Sequence, residues 1–290
     1  MTGVQTCALP ICGESEDDFL RTQIAIPRRV SSAILGENSP DDLILAFTDV
    51  IDPQVDIQHV ILPEEKKQEV VDIVASRGNF VRHRKEWGIE EILYYGLGTI
   101  MLFSGPPGTG KTMLAHALAK HSAMKLLLVS VPKLTNSRRE FEEVFRLILL
   151  EAKLQNAMLF FDEADELFSD RHSNSFMPTI LREFELFDGV AILASNRKQV
   201  LDEALERRIL YRLDFETPSL EMRKKIWMEL LPPKLPLADN VHISELAEKF
   251  QFAGGYIKNA VVLAIQKAAA RFAFDQEMRI NHDDLKWGAQ

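Results

Sequence analysis

The amino-acid sequence predicts an α/β protein, with a five-stranded parallel sheet flanked by helices and a small all-helical domain after it. Two observations lead to this prediction. Short apolar runs alternate with amphipathic helical patterns along the middle of the chain, which is typical of a parallel sheet covered on both faces. After Pro218 the pattern changes to helices only, so we place a domain boundary near Thr217.

The individual elements follow from these patterns. Strands are predicted at five mostly apolar runs: 98–105, 126–131, 157–163, 190–195 and 209–215. Between the first four, helices are predicted at 111–122, 140–154 and 178–187. An earlier helix is expected over 63–77, because a proline followed by acidic residues is a common helix start. The helical remainder is predicted at 220–231, 243–250 and 256 to about 276.

Composition limits the class of protein. Apolar residues make up 46% and charged residues 27% of the 290, a profile typical of a soluble globular protein. The net charge of 34 − 43 = −9 argues against broad binding to nucleic acid. No apolar run approaches the ~20 residues that span a bilayer, and two cysteines favour a reducing compartment. We therefore predict a cytoplasmic protein with no membrane partner.

The segment GPPGTGKT matches the pattern G-x-x-x-x-G-K-[ST] at every fixed position, between a predicted strand and a predicted helix. Glycines let backbone N–H groups surround phosphates, and the N-terminus of the following helix favours anions. We expect Lys111 to contact the β- and γ-phosphates of ATP, and the Thr112 hydroxyl to bind Mg²⁺. A plain turn would leave the Lys-Thr pair unexplained. The predicted nucleotide-binding residues here are Gly105, Pro106, Pro107, Gly108, Thr109, Gly110, Lys111 and Thr112.

The segment AMLFFDEAD supplies acidic residues at the end of a buried strand, at the edge of the sheet where ligands bind. Asp162 is predicted to hold Mg²⁺ and the nucleotide, and Glu163 to polarise the water that attacks the γ-phosphate. The alternative is an ordinary helix start, but the phosphate loop about fifty residues upstream favours catalysis. The tetrapeptide DEAD also occurs in helicases with two motor domains, for which this chain has no room.

Together these motifs resemble the AAA+ family of ATPases, over roughly residues 56–290. The resemblance implies a P-loop NTPase sheet with a helical lid, and an ATPase that converts ATP and water to ADP and phosphate with Mg²⁺. Asn196 ends the run VAILASN at the place of the family's sensor 1 residue, which orients the attacking water. An asparagine that caps a turn is the alternative interpretation.

The segment 201–209, LDEALERRI, resembles the part of the family that carries the arginine finger, which stabilises transition-state charge in the neighbouring subunit's site. Arg208 is the first choice for this catalytic role and Arg207 the second. A solvated basic pair at the end of a helix is the alternative.

The helical remainder resembles the family's lid. GGYIKNAV, residues 254–261, matches the start of the sensor 2 helix, and Lys258 falls where a basic residue often meets the nucleotide. Many relatives of the protein-unfolding type have an uncharged residue there, so this residue indicates a different branch. A surface lysine is an equally good interpretation.

One expected feature of the family differs here. Members that thread polypeptides carry an aromatic–hydrophobic pair in a pore loop, which would lie within 131–145. That segment has no aromatic residue before Phe141, which fits a helix face better. Lys133 and Leu134 occupy the approximate position, and Leu134 would grip a polypeptide only weakly.

The first residues form a separate case. MTGVQTCALPI resembles the conceptual translation of a common sequencing adapter, so residues 1–12 are expected to be an artefact without stable structure. Both cysteines then lose their meaning as a sign of compartment. The predicted organisation is completed by a partial N-terminal region at 13–55, a nucleotide-binding domain at 56–217 and the lid at 218–290.

The leading functional hypothesis is a Mg²⁺-dependent ATPase that works as a homo-oligomeric ring or arc, a hexamer by family resemblance, and remodels a protein partner. One alternative is a nucleic-acid-linked member of the clamp-loader, initiator or transposition-helper type, which Lys258 favours and the net charge disfavours. A slow nucleotide switch or scaffold is a further alternative, and a small-molecule kinase is weaker because it has no use for the lid or the arginine pair.

Overall fold

The computed structural model describes residues 42–136, 141–168, 176–197, 202–272 and 279–290. The predicted artefact at residues 1–12 lies outside these ranges. The chain divides into two compact units, 1–46 and 47–290. Of the first unit, the described part is a short helix, α1 (Asp42–Leu45), with the residue after it. All the features below belong to the second unit.

A six-stranded sheet forms the centre of the second unit, in the spatial order β1-β3-β4-β5-β2-β6. Its strands are β1 (Thr48–Ile51), β2 (Thr99–Ser104), β3 (Lys125–Ser130), β4 (Ala157–Asp162), β5 (Val190–Ser195) and β6 (Tyr211–Asp214). The five predicted strands, β2 to β6, are confirmed and run parallel to one another. The sixth, β1, was not predicted.

Strand β1 forms the edge of the sheet and pairs antiparallel with β3, with Thr48 opposite Val129 and Ile51 opposite Leu126. It lies upstream of Asp56, where the sequence analysis placed the start of the nucleotide-binding domain. Four residues are too few for a periodic pattern, so this strand carries no signal until its partner is known. Its position covers the backbone groups of an edge that would otherwise be open.

Helices cover both faces of this sheet. They are α2 (Glu64–His83), α3 (Lys111–His121), α4 (Val131–Asn136), α5 (Phe141–Leu154), α6 (Met177–Leu186) and α7 (Glu203–Glu206). Phe160 belongs to a cluster that includes Val70 of α2 and Leu118 of α3. The next residue, Phe161, faces the other way and its ring meets the rings of Phe145 and Phe184. Burial on both faces explains why β4 is apolar from Ala157 to Phe161.

The four helices after Pro218 have a core of their own. They are α8 (Leu220–Leu230), α9 (Ile243–Lys249), α10 (Gly254–Phe272) and α11 (His282–Gly288). Trp227, Ile257 and Leu285 are fully buried among them. The last helix, α11, was not predicted, although Asn281 and Asp284 form a reciprocal capping box at its start. Seven residues are too short for helical periodicity to stand out.

No helix among the described residues is both long enough and apolar enough to cross a membrane.

Phe145 tests the packing of the outer layer, because its ring is fully buried against three other phenylalanine rings. Replacing it with alanine leaves a cavity, so we expect Phe145→Ala to lower the free energy of unfolding by about 3–5 kcal/mol. Urea denaturation followed by circular dichroism measures this. Leu154→Ala, at an exposed position on the same helix, is the control and should cost about 1 kcal/mol or less. Equal losses in both variants would contradict the described packing.

Candidate nucleotide-binding site

The phosphate loop connects β2 to α3, and its conformation depends on glycine. Gly105, Gly108 and Gly110 have φ values of +145°, +75° and +106°, in the region where residues with a Cβ are strained. At Gly105 an added Cβ would also lie 2.1 Å from the carbonyl oxygen of Phe215. The loop therefore cannot accept a side chain at this position, and its backbone stays close to β6.

Lys111 is the first residue of α3 and its side chain turns back into the loop. It is 7% exposed, and its ammonium group donates hydrogen bonds to the carbonyl oxygens of Gly105 and Pro106, at 2.7 and 3.0 Å. A third bond, of 2.9 Å, goes to the side-chain oxygen of Asn196. Burial lowers the pKa of Lys111, and the negative charges of Asp162 and Asp165 act against this. These two carboxylates help to keep the buried lysine charged.

Two acidic residues stand at the end of β4. Asp162 is the last residue of the strand and is exposed, and its carboxylate accepts a hydrogen bond of 3.0 Å from the backbone N–H of Glu163. Glu163 has a φ of +53°, which is rare for a residue with a side chain. Backbone strain of this kind persists where surrounding structure enforces it, and it is common at functional sites.

A cleft of about 290 Å³ joins these acids to the phosphate loop, since its lining includes Thr112, Asp162 and Glu163. Asp49 of β1 lines the same cleft. Asp49 has no recognisable signal in the sequence, because its place in the cleft depends on the antiparallel pairing of β1.

The residues present fit Mg²⁺ bound together with a nucleotide. Mg²⁺ typically takes one or two protein oxygens and completes its shell with phosphate oxygens and water. Thr112 and Asp162 offer a hydroxyl and a carboxylate in the same cleft. Among the described residues no group of three or more His, Cys, Asp or Glu side chains could hold a metal ion by itself. Such an arrangement suits a metal that arrives with ATP.

Asn196 directly follows β5, which lies between β4 and β2 in the sheet. Its position is thus between the acidic residues and the phosphate loop. Its backbone N–H donates a 3.1 Å hydrogen bond to Asp165, and the hydroxyl of the preceding Ser195 donates one of 2.5 Å to the same carboxylate. In the sequence, Asp165 stands out only as the last residue of the DEAD tetrapeptide. An acid three residues past a strand end is too common a pattern to reveal this contact.

The lid reaches the phosphate loop through the first turn of α10. The backbone N–H of Gly255 donates a 2.8 Å hydrogen bond to the carbonyl oxygen of Gly108. A Cβ at Gly255 would lie 3.1 Å from the Cα of Gly108, so glycine permits this close approach. Lys258 is one turn further along the same helix and is exposed. Its contact with a nucleotide stays a prediction.

The two candidate arginines follow α7 and differ in their surroundings. Arg208 donates hydrogen bonds to the carbonyl oxygens of Leu181 and Ala204, and a 2.7 Å bond to the carboxylate of Glu185. The side chain of Arg207 is 73% exposed and pairs with Glu203 one turn earlier on the surface. Arg208 thus links elements within its own chain, whereas Arg207 points to solvent.

The segment expected to hold a pore loop begins as a helix. Val131–Asn136 forms α4, and Leu134 is fully buried within it. Leu134 therefore cannot grip a polypeptide, which corrects the expectation from sequence. Phe141 is also fully buried, and its ring stacks on that of Phe176 at 4.0 Å, as expected for a helix-face residue. Residues 137–140 lie outside the described part of the chain.

Comparison with known proteins agrees with this geometry. The profile of the family described as "ATPase family associated with various cellular activities (AAA)" matches residues 101–217. This span contains the phosphate loop, the acidic residues, Asn196 and both arginines. Residues 101–217 are thus similar to the ATPase domain of the AAA family.

Individual relatives cover a somewhat larger part of the chain. ATPase family gene 2 protein homolog B of Homo sapiens is 34% identical over 60% of the chain and 24% of its own length. A putative 26S proteasome regulatory subunit homolog of Methanocaldococcus jannaschii is 29% identical over 70% of the chain and 55% of its own length. A cell division cycle protein 48 homolog of Archaeoglobus fulgidus is 36% identical over 58% of the chain and 25% of its own length. The chain thus spans between about a quarter and about half of these relatives.

The contact between the C-terminal helices and the loop 105–112 is testable at Gly255. A methyl group there presses on Gly108, so we expect Gly255→Ala to weaken binding of a fluorescent ATP analogue by about 3- to 10-fold, since close packing transmits such shifts. The matched control is Gly254→Ala, because a Cβ at Gly254 would meet the carbonyl oxygen of Gly108 at an ordinary 3.5 Å. Titration by fluorescence anisotropy measures both. Equal affinity in the two variants would contradict a tight contact at Gly255.

Proposed function

We propose that this chain binds ATP with Mg²⁺, hydrolyses it to ADP and phosphate, and works as an oligomer that remodels a protein partner. The observation that carries the proposal is the hydrogen bond between Lys111 and Asn196, with Asp162 and Glu163 at the neighbouring strand end. Three segments far apart in sequence thereby contribute a phosphate-binding cation, a polar amide and two acids to one edge of the sheet. This set of groups is what γ-phosphate hydrolysis requires.

Each group has a distinct part in the proposed reaction. The ammonium of Lys111 exchanges the carbonyl oxygens of its own loop for phosphate oxygens, and backbone N–H groups of residues 105–112 bind the remaining phosphate charge. Thr112 and Asp162 would hold Mg²⁺, which neutralises charge on the phosphates. The Glu163 carboxylate accepts a hydrogen bond from a water molecule and polarises it. Asn196 orients that water for direct attack on the γ-phosphate. No covalent intermediate with the protein is needed.

Two considerations support a protein partner and an oligomer. One relative is named as a homolog of a 26S proteasome regulatory subunit, and a protein substrate for this chain follows by similarity. The net charge of −9 does not favour nucleic acid as the partner. A homo-oligomer is proposed because the family that the chain resembles works as rings or arcs of subunits, in which a neighbouring subunit can supply an arginine.

We propose Arg207, in place of Arg208, as the arginine that acts on the neighbouring subunit. An arginine finger must extend away from its own chain to reach another active site. Arg208 is held by two carbonyl groups and Glu185, and freeing it would break all three hydrogen bonds. Arg207 has only the pairing with Glu203 on an exposed helix surface, which is worth little energetically.

The proposed hydrolysis is tested at Glu163. Glu163→Gln keeps the size of the side chain but removes the carboxylate, so we expect ATP turnover to fall by about 100-fold or more while ATP binding is retained. Phosphate release and binding of a fluorescent ATP analogue are the measurements. Glu65→Gln, at an exposed position on α2, is the control and should behave as the wild type. Unchanged turnover in Glu163→Gln would remove Glu163 from the mechanism.

The proposed role of Arg207 between subunits is tested by mixing. Arg207→Ala and Lys111→Ala are each expected to lose ATPase activity by about 100-fold or more, since each removes a charge that acts on the transition state. Mixed together, the Lys111→Ala subunits supply Arg207 to the intact nucleotide sites of Arg207→Ala subunits, so activity should partly return. ATPase assays across mixing ratios measure this.

Arg208→Ala serves as the contrasting variant in that experiment. We expect it to lower thermal stability, because Glu185 and two carbonyl groups lose their donor, and mixing should not restore this loss. Recovery with Arg208→Ala and none with Arg207→Ala would reverse the assignment.

A further inference from the structure

The carboxylate of Asp165 joins the ends of two neighbouring strands. Asp165 lies in the short 3₁₀ helix Ala164–Phe168, which directly follows the acidic residues at the end of β4. One of its oxygens accepts a 2.5 Å hydrogen bond from the hydroxyl of Ser195, and the other accepts a 3.1 Å bond from the backbone N–H of Asn196. Both donors belong to the end of β5. The carboxylate thus fixes the main chain at Asn196, and with it the starting point of the Asn196 side chain.

The support beneath Asp165 is rigid. Ala164 and Leu167, on either side of it, are fully buried, so the 3₁₀ helix is anchored in the core. Ser195 is 2% exposed, and its hydroxyl oxygen also accepts a 3.1 Å hydrogen bond from the backbone N–H of Arg197. The carbonyl oxygen of Arg197, at 2.7 Å, is a second acceptor for the single hydroxyl hydrogen, next to Asp165 at 2.5 Å. The residues before and after Asn196 are therefore both held at the hydroxyl group of Ser195. The freedom left to Asn196 lies mainly in its side chain, which meets Lys111 at 2.9 Å.

A carboxylate matches both donors at this position. It has only acceptor oxygens, and here each oxygen receives a different donor. An asparagine that turned its NH₂ group towards Ser195 would reverse that hydrogen bond, and the Ser195 hydroxyl would then donate to the carbonyl oxygen of Arg197, 2.7 Å away. Asp162 and Glu163 stand three and two residues before Asp165, and the buried cation of Lys111 is the charge of opposite sign that acts on it.

We propose that Asp165 is a positioning residue for ATP hydrolysis: through its bonds to Ser195 and Asn196 it sets the direction in which the Asn196 amide meets the attacking water. The inference rests on the proposed function, in which Asn196 orients that water. In this proposal Asp165 acts through Ser195 and Asn196, with which its carboxylate forms hydrogen bonds. Since Glu163 lies two residues before it, the base and the orienting amide are held by one rigid unit. Their relative position then does not depend on motion of the lid.

The test is a comparison of two carboxylates that hold opposite ends of β5. Asp165 holds the end that carries Asn196, whereas Asp188 precedes the strand and binds Arg77 and Arg84, each at 2.6 Å. Both variants, Asp165→Asn and Asp188→Asn, lose hydrogen bonds to a carboxylate and should lose some thermal stability. Only Asp165→Asn should lower kcat for ATP, by about 10- to 100-fold, because small misplacement of a catalytic group is costly. Its KM for ATP should change by less than about threefold, since Lys111 and the phosphate loop are intact.

A double variant separates positioning from a general structural effect. If Asp165 acts through the Asn196 side chain, then Asp165→Asn added to Asn196→Ala should leave kcat within about twofold of Asn196→Ala alone. Multiplied losses in the double variant would overturn the inference. So would a kcat for Asp165→Asn within twofold of the wild type, or an equal loss of kcat in Asp188→Asn.

The outcomes also separate this inference from the proposed function. If the wild type hydrolyses ATP and Glu163→Gln does not, while Asp165→Asn retains wild-type kcat, then the positioning role fails and the ATPase assignment stands. If the wild type does not hydrolyse ATP with Mg²⁺, both are overturned. Should Asp165→Asn not fold, Ser195→Ala removes one of the two donors and is expected to lower kcat in the same direction at unchanged KM. Wild-type kcat in Ser195→Ala would then overturn the inference.

Discussion

The burial of both faces of the sheet is the constraint on which the rest of the structure depends. Phe160 and Phe161 are adjacent in β4 and pack into different helical layers, so the strand has no exposed face for a polar group. In β4 the polar side chain therefore stands at the end of the strand, at Asp162. Because β2 to β6 are parallel, their carboxyl ends meet at one edge, and the chemically useful residues collect there.

Within that edge, the order of the strands decides which groups meet. Strand β5 lies between β4 and β2, so Asn196 stands between the acidic residues and the phosphate loop. Lys111 bonds to Asn196 across this arrangement, and Asp165 binds the main chain of Asn196 from the other side. The site is therefore a chain of hydrogen bonds that crosses three neighbouring strands. A change in strand order with the same motifs would leave the same residues without contact.

Much of this could be predicted from the sequence, for particular reasons. The strands β2 to β5 are mostly apolar because two layers cover them, and that pattern is visible in the residues alone. The conformation of GPPGTGKT is predictable from its residues, because the loop needs glycine at positions of positive φ and at close backbone contacts. The identity of the acids after β4 and of Asn196 after β5 followed from the strand assignment. The helical lid followed from the change of pattern after Pro218.

What the sequence did not reveal consists of contacts between distant segments. Strand β1 and helix α11 are too short to show a period, and each exists because a partner stabilises it. Leu134 was expected to contact a polypeptide substrate weakly, yet it is buried in α4. The sequence could not show which of Arg207 and Arg208 extends to solvent. The difference between them lies in Glu185 and two carbonyl groups, which bind Arg208.

The sequence by itself determined the local parts: a glycine-rich loop before a helix, acids at a strand end and helices after Pro218, because each depends on local residue pattern. The tertiary structure decided how these parts are held. It joined Gly255 to Gly108, Asp165 to Asn196, and Asp49 to the cleft that holds Thr112. These contacts cross between segments whose distance along the chain carries no information about their distance in space. Only packing of the sheet and its helices fixes them.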